Sequence, residues 1–153
     1  MLDIINLKAI KMGVKASQKE DVLNIISEIA LENEIIKCKE QYLKGLVDRE
    51  SEFTTGFGKG FAIPHCKSES VNRAAAIICK LENEVEWQSM DEKPVNFVLG
   101  LAIPESEAGT THLKILSQLS RGLMDDEFTN ELQRATSEIE IYDILTKKLN
   151  GGI

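Results

Sequence analysis

Thr54-Thr-Gly-Phe-Gly-Lys-Gly60 runs straight into Phe61-Ala-Ile-Pro-His65, and here the hydrophobic period of the chain changes. Three glycines in five positions predict a loop, because glycine enters left-handed backbone without steric cost. The next residues predict a short strand that stops at Pro64, which lacks the N–H a ladder needs. Upstream the apolar residues recur at helical spacing. Val22, Ile25, Ile26, Ile29 and Ala30 follow the capping-box pattern Ser17-Gln-Lys-Glu20 and predict a helix over about 18–32. Tyr42, Leu43, Leu46 and Val47 predict a second over about 39–50, with Arg49 in its last turn. Downstream, Ala74 to Leu81, the alternating Val85-Glu-Trp87 and the apolar run Val95 to Ile103, closed by Pro104, predict strands, the last of them central. From Thr111 the period returns to 3.6. Leu113, Leu116, Leu119 and Leu123 predict a helix over about 111–123, Phe128 and Leu132 a shorter one, and Ser137-Glu-Ile-Glu140 caps a last helix carrying Ile141, Ile144, Leu145 and Leu149. Helices, then strands, then helices predict an α/β fold: a single domain with a mixed β-sheet flanked by helices on both faces.

The composition bounds the function. At 153 residues, 42% apolar and 28% charged, the chain is long enough for one well-formed core and has no linker or repeat to divide it. Its 18 Lys and Arg stand against 25 Asp and Glu, and a net charge of −7 lacks the basic footprint of a nucleic-acid binder, so no DNA or RNA partner is expected. The stretch Val95 to Pro104 falls well short of the ~20 apolar residues a bilayer span needs, and the N-terminus lacks a signal-peptide pattern. A soluble, cytoplasmic protein is expected. Three widely spaced cysteines, Cys38, Cys66 and Cys79, fit a reducing compartment rather than a disulfide framework.

Two histidines leave little choice for a proton or phosphoryl carrier at neutral pH. His65 follows Pro64 at the predicted strand end, where a fixed backbone presents side chains at a sheet edge. Position alone equally allows a half-buried histidine of no consequence. His112 falls in the first turn of a helix, whose positive end lowers an imidazole pKa and turns N–H groups toward anions, though a helix-start residue without a role reads the same way. Zinc spacing, a Walker loop, a dinucleotide fingerprint and Gly-x-Ser-x-Gly are all absent. Cys66 adjoins His65, but neighbours on an extended segment point to opposite faces, which makes a Cys–His pair geometrically poor.

Arg49-Glu-Ser-Glu-Phe-Thr-Thr-Gly56, Gly58-Lys-Gly-Phe-Ala-Ile-Pro-His65, Val85-Glu-Trp87 with Asp91 and Pro94, and His112-Leu-Lys-Ile-Leu-Ser-Gln-Leu119 together resemble the fructose/mannitol-type enzyme IIA domain of the bacterial phosphoenolpyruvate-dependent sugar phosphotransferase system. The resemblance covers nearly the whole chain, 1–153 with a core at about 4–148. It implies that His65 accepts a phosphoryl group from the histidine of HPr and passes it to a cysteine of enzyme IIB, which serves the membrane component IIC. It also implies that Arg49 and His112 flank that site, and that Thr55, Gly56, Gly58 and Gly60 form a phosphoryl-binding loop. No metal or organic cofactor is expected, and Cys66 and Cys79 are taken as packing residues. Physical chemistry agrees with the roles: the transfer needs a neutral imidazole and donors around three charged oxygens, and an arginine fork and a helix N-terminus supply such groups. The Thr-Thr-Gly loop leans toward the fructose branch; Pro-His-Cys is also similar to galactitol-type members, and mannitol is a further option. Two alternatives stand beside it. One is a regulatory module similar to the nitrogen-type branch, controlling partners through its phosphorylation state; the other is a binding domain whose His65 is never phosphorylated.

Overall fold

In the computed structural model, which describes residues 4–107 and 109–151, the chain runs β1 (Ile10–Val14), α1 (Lys19–Glu32), α2 (Lys39–Glu52), β2 (Gly56–Gly58), β3 (Phe61–Ala62), β4 (His65–Ser68), β5 (Ala75–Val85), β6 (Val95–Pro104), α3 (Thr110–Leu123), α4 (Asp126–Arg134) and α5 (Glu138–Gly151). The apolar run Val95–Pro104 is the central strand, as its composition predicts. It pairs antiparallel with β5 on one side and parallel with both β3 and β4 on the other, giving the order β1-β5-β6-β3-β2 with β4 also on β6. The sheet is mixed.

Side chains alternate across it. Val98 and Ala102 of β6, with Ile77 and Cys79 of β5, pack under α1 and α2 against Leu23, Ile26, Tyr42 and Leu46. Phe97, Leu99, Leu101 and Ile103, with Ala76 and Ile78, pack under the C-terminal helices against Ile115, Leu119, Leu132, Ile141 and Leu145. Helices therefore cover both faces.

Several local expectations shift. The strand begun at Phe61 does not end at Pro64. It pauses there and resumes as β4 along the same edge of β6, so His65 opens a strand instead of closing one. The glycine stretch is not a bare loop either: Gly56–Gly58 pairs antiparallel with Phe61–Ala62, and the chain turns at Lys59 and Gly60, which have φ of 60° and 87°. The α1 cap lies one residue further on than expected, since the Asp21 carboxylate, not Glu20, accepts the Ser17 and Gln18 N–H groups at 3.0 and 3.1 Å. The Glu140 carboxylate reaches Thr136 while the Ser137 hydroxyl accepts the Glu140 N–H. Two residues assigned to apolar stripes face solvent, Val47 at 43% and Leu113 at 68% exposure, and Ile115 takes the inward place on α3. β1 has no expected counterpart: it is a short edge strand, Ile10-Lys-Met-Gly-Val14, interrupted by a left-handed Gly13.

Candidate functional site

His65 lies opposite Leu101 at the start of β4 and is 9% exposed. Its Nδ1 sits 2.8 Å from the Ile63 carbonyl oxygen. A carbonyl can only accept, so Nδ1 carries the proton and Nε2 keeps the lone pair. Pro64 contributes to this geometry: the chain is interrupted between β3 and β4, and the Ile63 carbonyl turns to the ring of the residue two places on. Burial is the main force holding the His65 pKa below its ordinary value, and the charges of Arg49 and His112 add to it, against the Ile63 hydrogen bond and Glu50. At neutral pH the ring is uncharged.

His112, in the first turn of α3, brings its ring centroid to 5.2 Å from that of His65. Its pKa is also lowered, by burial first and then by Lys67 and Arg49. Its Nε2 is buried and has no hydrogen-bond partner among the described residues. A buried ring nitrogen left unpaired normally costs ~1–3 kcal/mol, which an incoming oxygen would relieve.

Arg49 reaches the site from the opposite layer. It stands in the last turn of α2 and donates from Nη1 to the Phe53 carbonyl at 2.8 Å, which orients the guanidinium across the helix end. The helix is itself pinned at the level of the site, because the buried Tyr42 hydroxyl donates to the Leu101 carbonyl at 2.8 Å and Leu101 is the β6 partner of His65. Thus Arg49, His65 and His112 converge from α2, β4 and α3.

The glycines do not join them. Gly60 accepts the N–H groups of Asn96 and Phe97, so it lies five residues along β6 from Leu101, ~16 Å at strand spacing. Gly58 pairs with Phe61 at the same end, and Gly56 is packed too closely against Ser89 to admit a Cβ. They build a hairpin. Thr55 is closer to the site but buried, and its hydroxyl is already occupied: it donates to Glu50 at 2.5 Å and accepts from the Trp87 Nε1–H at 3.1 Å. Of the residues expected to form a phosphoryl-binding loop, Gly58 and Gly60 thus lie in the hairpin at the far end of β6, while Gly56 packs on Ser89 and Thr55 bonds to Glu50 and Trp87. Cys66 behaves as the alternation predicts. Its sulfur packs on Gly45 of α2, away from the α3 side, and burial with nearby Glu105 and Asp48 pushes its thiol up to about 11. Cys79, deeper still, is pushed to about 12. Neither is a thiolate at neutral pH. Among the described residues no three His, Cys, Asp or Glu side chains gather as a metal ion would require, and no helix is long and apolar enough to cross a membrane.

The class to which this fold belongs emerges from its structural neighbours. Over 94% of its length the chain superposes on nitrogen regulatory protein IIA-Ntr from Neisseria meningitidis, covering 97% of that chain with a TM-score of 0.86 at 26% identity. Residues 3–148 match the family described as phosphoenolpyruvate-dependent sugar phosphotransferase system, EIIA 2, and the chain belongs to that family. Enzyme IIA components are phosphotransferases that pass phosphoryl groups through histidine. The chain is 32% identical over 145 residues to the fructose-specific EIIABC component of Bacillus subtilis, 95% of this chain but 23% of that protein. It is also 30% identical over 146 residues to the nitrogen regulatory protein of Klebsiella oxytoca, 95% of this chain and 89% of that one. The chain thus spans about a quarter of the length of the EIIABC relative and nearly all of the nitrogen regulatory one.

Proposed function

We propose that this chain is a phosphohistidine relay in which His65 Nε2 is the phosphoryl acceptor. The observation that carries the reading is the Nδ1–H bond to the Ile63 carbonyl, because it fixes the tautomer and leaves one nitrogen, Nε2, with a lone pair for in-line attack. The donor is the phosphohistidine of HPr: its N–P bond breaks as the bond to Nε2 forms, and the lone pair returns to the donor imidazole. Arg49 and His112 supply the positive charge and the hydrogen-bond partner for the oxygens in transit. The acceptor is a cysteine of an enzyme IIB, and the sugar then crosses through a membrane IIC component. The relay works in the cytoplasm and needs no metal or organic cofactor. A fructose-type substrate is favoured by the fructose-specific relative, with mannitol and galactitol as the other sugars to be tried.

A second reading has its own support. The nitrogen regulatory relatives match over nearly their whole length, so phosphorylation of His65 could equally gate binding to a regulated partner instead of feeding transport. Incubation with enzyme I, HPr and phosphoenolpyruvate tests the relay: the wild type gains one acid-labile phosphate, and His65→Ala gains none while keeping its fold. Full-rate labelling of His65→Ala would remove His65 from the reading. Subsequent transfer to purified fructose-type IIB separates transport from regulation.

A further inference from the structure

We propose that Thr55 is the positioning residue of this site, joining the segment that carries Arg49 to the segment that carries His65 without touching the phosphoryl group; this rests on the reading of His65 as the acceptor. Four hydrogen bonds carry the inference. Thr55 donates twice to the Glu50 carboxylate, from its backbone N–H at 2.9 Å and from Oγ1 at 2.5 Å. Glu50 is the residue next to Arg49 and its side chain is only 6% exposed. On its other side, the Thr55 carbonyl accepts the Ile63 N–H at 2.9 Å, and the Ile63 carbonyl is the one that holds His65 Nδ1. One residue thus ties the end of α2 to the peptide that sets the histidine tautomer.

The hydroxyl is itself held. Trp87 Nε1–H donates to Thr55 Oγ1 at 3.1 Å from a fully buried indole, and Thr54 Oγ1 donates to the Trp87 carbonyl at 3.1 Å. Lys19 at the start of α1 pairs with Glu50 at 3.2 Å, so the carboxylate has a counter-charge as well as two donors. A hydroxyl that gives its proton to a carboxylate and takes one from an indole has a single orientation, which is what a placing group requires. The Phe53 carbonyl that anchors Arg49 lies two residues before Thr55, inside the span the network closes. Displacing that span by a fraction of an ångström moves the guanidinium against the ring it serves.

Thr55→Val removes the hydroxyl at nearly constant shape and leaves the Thr55 carbonyl bond to Ile63 in place, so its effect runs through the Arg49 arm. Transfer from phosphorylated HPr should lose about tenfold in maximal rate, with KM for the donor within about twofold of wild type. Thr55→Ser should restore the rate. In an Arg49→Ala background the same Thr55→Val change should alter the rate by less than about twofold, because two residues acting through one group are not additive. Fluorescence of Trp87, the single tryptophan, reports whether each Thr55 and Arg49 variant is folded, and far-UV circular dichroism does so where Trp87 itself is replaced. Should Thr55→Val fail to fold, Trp87→Phe removes the donor to Oγ1 while keeping a ring in the core, and the same loss and the same silence in Arg49→Ala are expected. Wild-type rate in a folded Thr55→Val or Trp87→Phe protein overturns the proposal, as does an equal loss with and without Arg49. If the wild type takes no phosphoryl from HPr, the relay reading falls and the positioning role with it; if it does and the variants match it, only the positioning role falls.

Discussion

Arg49 shows how much one side chain does here that its charge alone would not. One Nη1–H is committed to the Phe53 carbonyl, so the guanidinium is oriented by its own helix end and presents its remaining N–H groups in a fixed plane. A lysine at this place keeps a positive charge on a flexible stem, but it cannot hold the carbonyl and two phosphoryl oxygens at once. Arg49→Lys is therefore expected to lower the rate of transfer to His65 by a factor on the order of ten to a thousand, while the salt dependence of HPr association stays near wild type. Stopped-flow transfer and association measured across salt on the same variant check both parts; unchanged transfer with weakened association would place Arg49 on the docking rim. The contrast between His65 and Cys66 belongs to this scale too. Adjacent on one strand, they face different helical layers, and only the histidine meets Arg49 and His112.

At the level of elements, the helices and the central strand were legible because their periods are long and uninterrupted. The hairpin at Gly56–Ala62 was not, for a physical reason. A proline and three glycines mark breaks in local structure, but whether the chain leaves the sheet or merely bends depends on a partner strand far away in sequence. Here β6 supplies that partner on both sides of Pro64. The convergence of Arg49, His65 and His112 could be anticipated from their motif, whereas the use of Thr55 could not, since its hydroxyl partner Trp87 is 32 residues away. The reassigned glycines give a test. Gly60 has φ of 87°, and a Cβ there would come within 2.6 Å of Oδ1 of Asn96, whose amide pairs with that of Gln133 in α4 through two hydrogen bonds of 2.8 and 2.9 Å. Gly60→Ala should cost about 1–3 kcal/mol in urea unfolding, more than Gly13→Ala, where φ is 65° but nothing among the described residues lies within 4 Å. The folded fraction should still accept phosphoryl at the wild-type rate, and a selective loss of transfer would return Gly60 to the site.

For the whole molecule, the two histidines tie stability and activity to one pH window. Burial lowers the folded-state pKa of both, with Arg49 adding to each, so both lie below the ordinary value of about 6.5 that they regain on unfolding. Between the folded and unfolded values the unfolded chain binds more protons, and stability therefore rises with pH across that interval. The contribution is complete above about pH 6.5 and is lost as pH falls through the folded-state values. Asp91, Asp125 and Glu140 are also lowered, by backbone or side-chain hydrogen bonds, but they are surface carboxylates and their contribution is lost only below about pH 4. The interval between is left to the histidines. Urea midpoints should fall between pH 7 and pH 5 in the wild type and change much less in a His65→Gln, His112→Gln double variant. Phosphoryl acceptance should decline over the same interval in the wild type, since an imidazolium has no lone pair to offer. A wild-type midpoint that holds steady to pH 5, or a double variant that loses as much as the wild type, would mean that burial does not keep these rings neutral. The site would then lack the neutral ring that the proposed relay requires of His65.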